Sequence, residues 1–240
     1  MQWYTATFSR IEDVTDRHKR FWLTIEEVEN FEFTPGQFIT LELPIDEPKR
    51  PKRWRHYSIA SPPNGNTIEL IIVRVPGGKG TTYLFEEAKV GDRVPLRGPV
   101  GKFTLPEDIS NVDICLIATG TGIAPFRSMI WHIYNKNIPH KKLYLIQGAR
   151  NINELLYYQD FAELENKMEN FQYLPVLSRE TPPNWNGHKG YVHQVYKDMF
   201  KAGDNVLFYL CGLRNMIDEA RKNLTDMGFD KTQIKFEAFD

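Results

Sequence analysis

Arg55-His56-Tyr57-Ser58 sets a guanidinium, a phenol and a hydroxyl on one short stretch. Arg can grip a phosphate through two parallel hydrogen bonds, Tyr can lie along a flat heterocycle or a ribose, and Ser can hydrogen-bond a ring nitrogen. Strand alternation puts Arg55 and Tyr57 on one face and His56 and Ser58 on the other unless the strand bends. Taken alone, the four also fit an ordinary strand. A second segment, Ala118-Thr119-Gly120-Thr121-Gly122-Ile123-Ala124-Pro125, follows an apolar strand and opens a helix. Glycines there let the backbone turn sharply toward a pyrophosphate, and the helix N-terminus favours negative charge. Pro125 suits a first helical position. The usual third glycine is absent, with Ala124-Pro125 near its place, so the segment departs from the standard dinucleotide fingerprint and also fits a structural turn. The third segment is Cys211-Gly212 behind an apolar run. A cysteine there is either a small buried hydrophobe or, at the carboxyl edge of a parallel strand, a wall of a ligand site.

The elements that position these segments change character near residue 107. Up to Pro106 the chain shows short strands (Thr5–Ile11, Arg20–Glu26, Gln37–Leu43, Arg53–Ala60, Thr67–Val75 and Arg93–Leu96) broken by Thr34-Pro35-Gly36 and Pro62-Pro63-Asn64-Gly65. One helix, Thr82–Ala88, interrupts them. This pattern predicts a small antiparallel barrel over residues 1–107. Beyond it, apolar strands at Val112–Ala118, Leu143–Gln147, Phe171–Leu177, Val206–Leu210 and Gln233–Glu237 alternate with helices at Pro125–Asn135, Glu154–Asn170, His193–Phe200 and Asn215–Met227. That alternation predicts a parallel sheet covered on both faces over residues 108–240. The expected fold is therefore β plus α/β, in two domains.

Composition narrows the function classes. With 240 residues, 41% hydrophobic, 25% charged and a net charge of −1, the chain reads as globular, with no sign of disorder or wholesale nucleic-acid binding. Charges from Arg10 to Arg20 interrupt any leader-like apolar run, and no stretch approaches the ~20 apolar residues of a membrane span, so a cytoplasmic location without a membrane partner is expected. Cys115 and Cys211 are too far apart in sequence to suggest a disulfide framework, a metal site or an iron–sulfur centre. Any such cluster in an electron path is expected on another protein.

Six segments in order resemble the ferredoxin–NADP⁺ reductases and their wider superfamily of FAD-dependent NAD(P)H reductases: Arg55-His56-Tyr57-Ser58-Ile59-Ala60-Ser61, Gly80-Thr81-Thr82-Tyr83-Leu84, Gly91-Asp92, Gly98-Pro99-Val100-Gly101, Gly120–Pro125 and Tyr209-Leu210-Cys211-Gly212. The resemblance implies an FAD-binding barrel followed by a pyridine-nucleotide domain. It implies that Arg55 holds an FAD phosphate, Tyr57 packs on the flavin and Ser58 lies beside N5, with His56, the backbone of Ile72-Val73-Arg74 and the helix start at Gly80-Thr81-Thr82 completing the FAD site. Thr81 also fits a plain helix cap. Glu237 and Phe239 match the family's ending, a carboxylate two places before an aromatic over the flavin, although plant-type members have Tyr there and Asp240 adds a residue. Hydride transfer from NADPH to the flavin would then occur between Ser58, Cys211 and Glu237, with the thiol shaping the site and not acting as a nucleophile.

For the donor, Gly120, Thr121, Gly122, Cys211 and Gly212 would line the dinucleotide. No acid follows the second parallel strand, where Gly148-Ala149-Arg150 stands. Ser178-Arg179 and Lys189-x-Tyr191 instead resemble the pairs with which NADP-specific members hold the 2′-phosphate and stack the adenine, so NADPH is expected over NADH. Lys49, Arg50, Lys52 and Arg53 form a basic run before the flavin strand. It is either a solvated loop or a docking surface for an acidic carrier such as ferredoxin or flavodoxin. Reduction of free flavin or of an oxygenase partner, or a place in a stable complex, are the alternatives. A monomer is the default expectation.

Overall fold

Runs rich in Ile, Leu, Phe and Thr become six strands in the computed structural model, which describes residues 2–179 and 181–239, the side chain of Phe239 excepted. They are β1 (Trp3–Thr15), β2 (His18–Ile25), β3 (Phe38–Glu42), β4 (Trp54–Ser58), β5 (Thr67–Val73) and β6 (Arg93–Val100). All pairings are antiparallel, in the order β4-β3-β6-β1-β2-β5. The edges meet where Ala60 N, just past β4, donates to Glu69 O in β5 at 2.8 Å. Alternate residues such as Phe21, Leu23, Ile39, Leu41 and Leu96 fill the interior. The strand β1 outruns its expected span at both ends, absorbing the extra length with register shifts at Phe8/Arg10 and Asp13/Thr15.

The helix expected at Thr82 starts three residues earlier. Here α1 (Lys79–Thr82) follows Gly78 and continues as a π turn, Tyr83–Glu87. Thr81 is its third residue and no cap. Its Oγ1 lies 3.1 Å from Gly78 O and 3.2 Å from Val75 O and accepts from Val75 N, closing the glycine loop onto the helix.

The second sheet holds β7 (Asp113–Thr119), β8 (Leu143–Ala149), β9 (Phe171–Leu177), β10 (His188–Lys189), β11 (Val206–Leu213) and β12 (Ile234–Phe239). It is parallel throughout, in the order β10-β9-β8-β7-β11-β12. Its helices are α2 (Ile123–Lys136), α3 (Tyr158–Glu165), α4 (Val192–Met199) and α5 (Arg214–Asp226). Helix α3 is half the expected length because Tyr157, at φ 60°, breaks the chain before it. The strand order reverses at β7 and β11, the place where open parallel sheets hold ligands.

Two units result: the chain up to Thr104 together with Ala124–His132, and Leu105–Ile123 with Ile133 onward. Within the first, Glu69 interrupts the apolar run of β5 and is almost fully buried. Its carboxylate accepts from Arg20 Nε at 2.6 Å and Arg127 Nη1 at 3.0 Å. Arg127 also donates to Ala60 O, and Ser128 Oγ to Ser61 O at 2.7 Å. These bonds pin Ala60 and Ser61, directly behind Ser58. Removing one partner of such a cluster leaves an uncompensated buried charge. Glu69→Leu is expected to lower stability by about 3–5 kcal/mol in urea unfolding; a change within about 0.5 kcal/mol, the scatter of surface substitutions, contradicts this account.

Candidate functional site

In the barrel unit, Arg55 and Tyr57 turn to one side of β4. Arg55 Nη1 donates to Lys52 O at 2.9 Å and Trp54 O at 2.8 Å. The rest of the side chain crosses Gly80, where a Cβ would stand 2.8 Å from Arg55 Nε. The bare Cα of Gly80 gives the flexible Arg55 side chain room beside the first turn of α1. A delocalised cation beside first-turn amides is a fit for a diphosphate such as FAD carries. Lys79 fastens the same turn through Asp46 O at 2.7 Å and Glu47 at 3.1 Å. Tyr57 packs against the barrel core, and burial pushes its phenol well above the ordinary range.

Other expected FAD contacts are placed less directly. His56 faces Phe38 edge-on at 5.6 Å, with its Nδ1 2.9 Å from Thr40 Oγ1, on the opposite side of β4 from Arg55. Burial, then Arg97 and Arg55, lower its pKa and favour the neutral ring. Ser58 is buried and stands opposite Phe38 in register. Ile72 points into the core; Val73 is half-buried at the end of β5, opposite His18. Arg74 N is spent on Arg17 O at 2.7 Å and its guanidinium on Glu86. Thr82 N already donates to Gly78 O, so the helix opens at Gly78-Lys79-Gly80 and not at Thr81-Thr82.

In the second unit the glycine turn and the Cys211 strand end interlock backbone to backbone. A Cβ on Gly122 would stand 2.3 Å from Cys211 O, and one on Gly212, at φ +131°, would stand 2.4 Å from Thr119 O. Leu213 N donates to Thr119 Oγ1 at 3.1 Å, a contact the sequence signalled only as a threonine before the glycines. Gly120–Gly122 form a 3₁₀ turn leading into α2, so Pro125 is the helix's third residue and not its first. It still falls in the first turn, where a missing N–H costs nothing. Together these features leave α2's first-turn amides at the carboxyl ends of β7 and β11, a fit for a dinucleotide's diphosphate.

Cys211 is fully buried; burial, and then the charge of Glu237, push its thiol well up, so it stays protonated. Glu237 stands opposite it in the register of β11 and β12. Phe239 pairs with Leu213 through its backbone; its side chain and Asp240 lie outside the described residues.

At the other side of the same sheet edge, the ends of β8, β9 and β10 are tied together. Ser178 N donates to Ala149 O and Arg179 N to Arg150 O, both at 3.0 Å, and Gly190 N to Leu177 O at 2.9 Å. This brings Arg150, Ser178, Arg179, Lys189 and Tyr191 onto one rim. The three cations are exposed and form no ion pair among the described residues, and Tyr191 is 64% exposed. The expected docking run fares differently. Arg50 pairs with Glu42 at 2.7 Å, Arg53 Nε donates to Glu47 O at 2.9 Å and Lys52 acts electrostatically on the Glu47 carboxylate, so of the four only Lys49 projects without a partner among the described residues.

The interlock separates two kinds of glycine. Gly122→Ala is expected to abolish measurable NAD(P)H binding while FAD stays bound. Gly120→Ala, with open space around its Cβ but φ +54°, carries only backbone strain of about 1–2 kcal/mol. Equal nucleotide affinities for the two variants in isothermal titration contradict the interlock.

Comparison with known proteins agrees with the two halves. The family described as Oxidoreductase FAD-binding domain matches residues 5–105, and Oxidoreductase NAD-binding domain matches residues 116–222. The chain is 33% identical over its whole length to the phenol hydroxylase P5 protein of Acinetobacter pittii (strain PHEA-2). Over 86% of its length it is 36% identical to the reductase component DmpP of phenol 2-monooxygenase from Pseudomonas sp. (strain CF600). It spans 66% and 58% of those relatives' own lengths. Among solved structures, the Amycolatopsis cytochrome P450 reductase GcoB superposes with a TM-score of 0.85 at 28% identity, over 99% of this chain and 70% of that one. With an FAD-binding half and an NAD-binding half in that order, the chain belongs to the ferredoxin–NADP⁺ reductase-like superfamily of electron-transferring FAD- and NAD(P)-binding oxidoreductases.

Proposed function

We propose that this chain takes electrons from NADPH onto FAD and delivers them singly to a carrier protein of the kind that serves an oxygenase. The observation that carries the reading is the pair of anion cradles, Arg55 over Gly80 in one unit and Gly122 against Cys211 in the other. The phenol hydroxylase and phenol 2-monooxygenase relatives support an oxygenase-linked acceptor. Ferredoxin and flavodoxin remain the carrier chemistries that the proposal takes as acceptors.

Bound FAD supplies the ability to accept an electron pair and release it one electron at a time. The chain's residues bind and orient. Arg55 and the first turn of α1 hold the FAD diphosphate, and Tyr57 lends an apolar ring to the flavin. Ser58 offers a hydroxyl beside the reacting ring. The turn Gly120-Thr121-Gly122 and the first turn of α2 hold the diphosphate of NADPH. Arg150, Arg179 and Lys189 match an extra phosphate dianion, with Ser178 as a hydroxyl donor and Tyr191 as a platform for adenine. Cys211, protonated and small, leaves room beside the nicotinamide without adding charge. Glu237 supplies the one carboxylate in register with it.

Steady-state kinetics of the purified protein with NADPH and NADH against a ferredoxin, a flavodoxin and free FMN test the reading. NADPH is expected to exceed NADH in kcat/KM by about tenfold or more, ~1.4 kcal/mol of discrimination, with a carrier protein reduced faster than free FMN. Comparable values for the two nucleotides sink the donor assignment. A preference for free FMN over both proteins replaces the acceptor with a diffusible flavin.

A further inference from the structure

In register, Trp3 of β1 stands opposite Arg97 of β6, Arg97 opposite Thr40 of β3, Thr40 opposite His56 of β4, and Glu42 opposite Trp54. The row lies on the outer face, because Ile39 and Leu41 on either side of Thr40 point into the core. The guanidinium carbon of Arg97 lies 4.5 Å from the centre of the Trp54 ring and 5.2 Å from that of Trp3, and the two rings are 5.7 Å apart. Arg50 adds a second cation 5.1 Å from Trp3.

The stack is poorly explained as a stabilising device. Arg10, Arg20, Arg74 and Arg93 elsewhere on this unit each have a carboxylate partner, whereas Arg97 has none among the described residues. Its Nε and the Nε1 of Trp54 are both buried without an acceptor. Unmet buried donors weaken a fold. A guanidinium held between two indoles, however, has already lost part of the freedom that binding would take from it, and its fork matches a carboxylate. Trp and Arg are also the side chains that dominate the centres of protein interfaces. The surrounding charge is positive: Arg50 pairs with Glu42, Lys79 and Lys52 both act on Glu47, and Arg97, Lys49 and Arg53 have no carboxylate partner among the described residues. Trp54 directly precedes Arg55, so the stack borders the FAD cradle along β4 but lies on the opposite side of the strand from Arg55.

We infer that the Trp3–Arg97–Trp54 stack anchors the electron acceptor, a one-electron carrier protein with an acidic face, one carboxylate of which Arg97 grips while Lys49 and Lys52 steer its approach. This rests on the function proposed above. It moves the centre of docking from the basic run itself, half of which is internally neutralised, to a cation that only a partner can satisfy.

The test uses the FAD-loaded protein, an acidic [2Fe–2S] ferredoxin as probe, and two readouts: ferredoxin Kd by isothermal titration, and the anaerobic rate at which NADPH reduces the bound FAD. Arg97→Gln is expected to weaken ferredoxin binding roughly tenfold or more and to leave the rate of FAD reduction within about twofold. The double variant Lys49→Glu/Lys52→Glu, on solvated side chains that do not endanger folding, is expected to weaken binding and to flatten its dependence on salt. Unchanged Kd in either variant overturns the surface. So does a concentration-dependent dimer that Arg97→Gln abolishes, since it assigns the stack to a second copy of this chain. If NADPH reduces the FAD but the ferredoxin does not bind, the surface falls and the proposed donor chemistry stands. If NADPH fails to reduce the FAD, the proposed function falls and the surface with it.

Discussion

Close approach of backbone where no Cβ is tolerated is the constraint on which the candidate dinucleotide site depends. In the second unit, Gly122 lies against the carbonyl of Cys211 and Gly212 against that of Thr119, so the two strand ends at the reversal of sheet order are locked by shape. In the barrel, by contrast, the bare Cα of Gly80 meets only the flexible side chain of Arg55 and gives it room across the opening turn of α1. The backbone lock of the second unit does two jobs. It brings helix amides to a place where an anion can reach them, and it leaves no freedom for the groups around that place to drift.

The barrel's strand β4 is held by charge as well as by packing. Burying Glu69 among apolar residues costs desolvation that Arg20 and Arg127 must offset, and such clusters are weak sources of net stability. What the cluster supplies here is definition. Arg127 and Glu69 each bond the backbone at Ala60, and Ser128 bonds Ser61, so the segment behind Ser58 has one available path. Arg97 shows the contrast: a cation beside the same strand, stacked on indoles but lacking a carboxylate among the described residues.

Features carried by local spacing were legible in the chain. The two sheet types follow from strand alternation and from apolar runs between helices, and the glycine turn after β7 is visible because glycines and a helix start are neighbours in sequence. Positions set by long-range pairing were not. Arg127 and Glu69 meet from elements far apart, signalled only by charges inside apolar runs. The neutralisation of Arg50 by Glu42 and the meeting of Trp3, Arg97 and Trp54 both depend on register across β1, β6, β3 and β4. Capping is hidden where a side chain bonds backward: Thr81 reads as a cap, yet its hydroxyl closes the loop behind it. The sequence around α3 reads as a longer helix because no residue type announces the left-handed turn at Tyr157.

The central claim is that this one chain holds both a flavin and its electron donor. Anaerobic titration of the FAD-loaded protein with NADPH, followed in the flavin's visible absorbance, tests it directly. The account predicts bleaching that is complete at about one NADPH per FAD, the stoichiometry of a two-electron transfer. Absorbance that persists in excess NADPH, with FAD still bound, contradicts it.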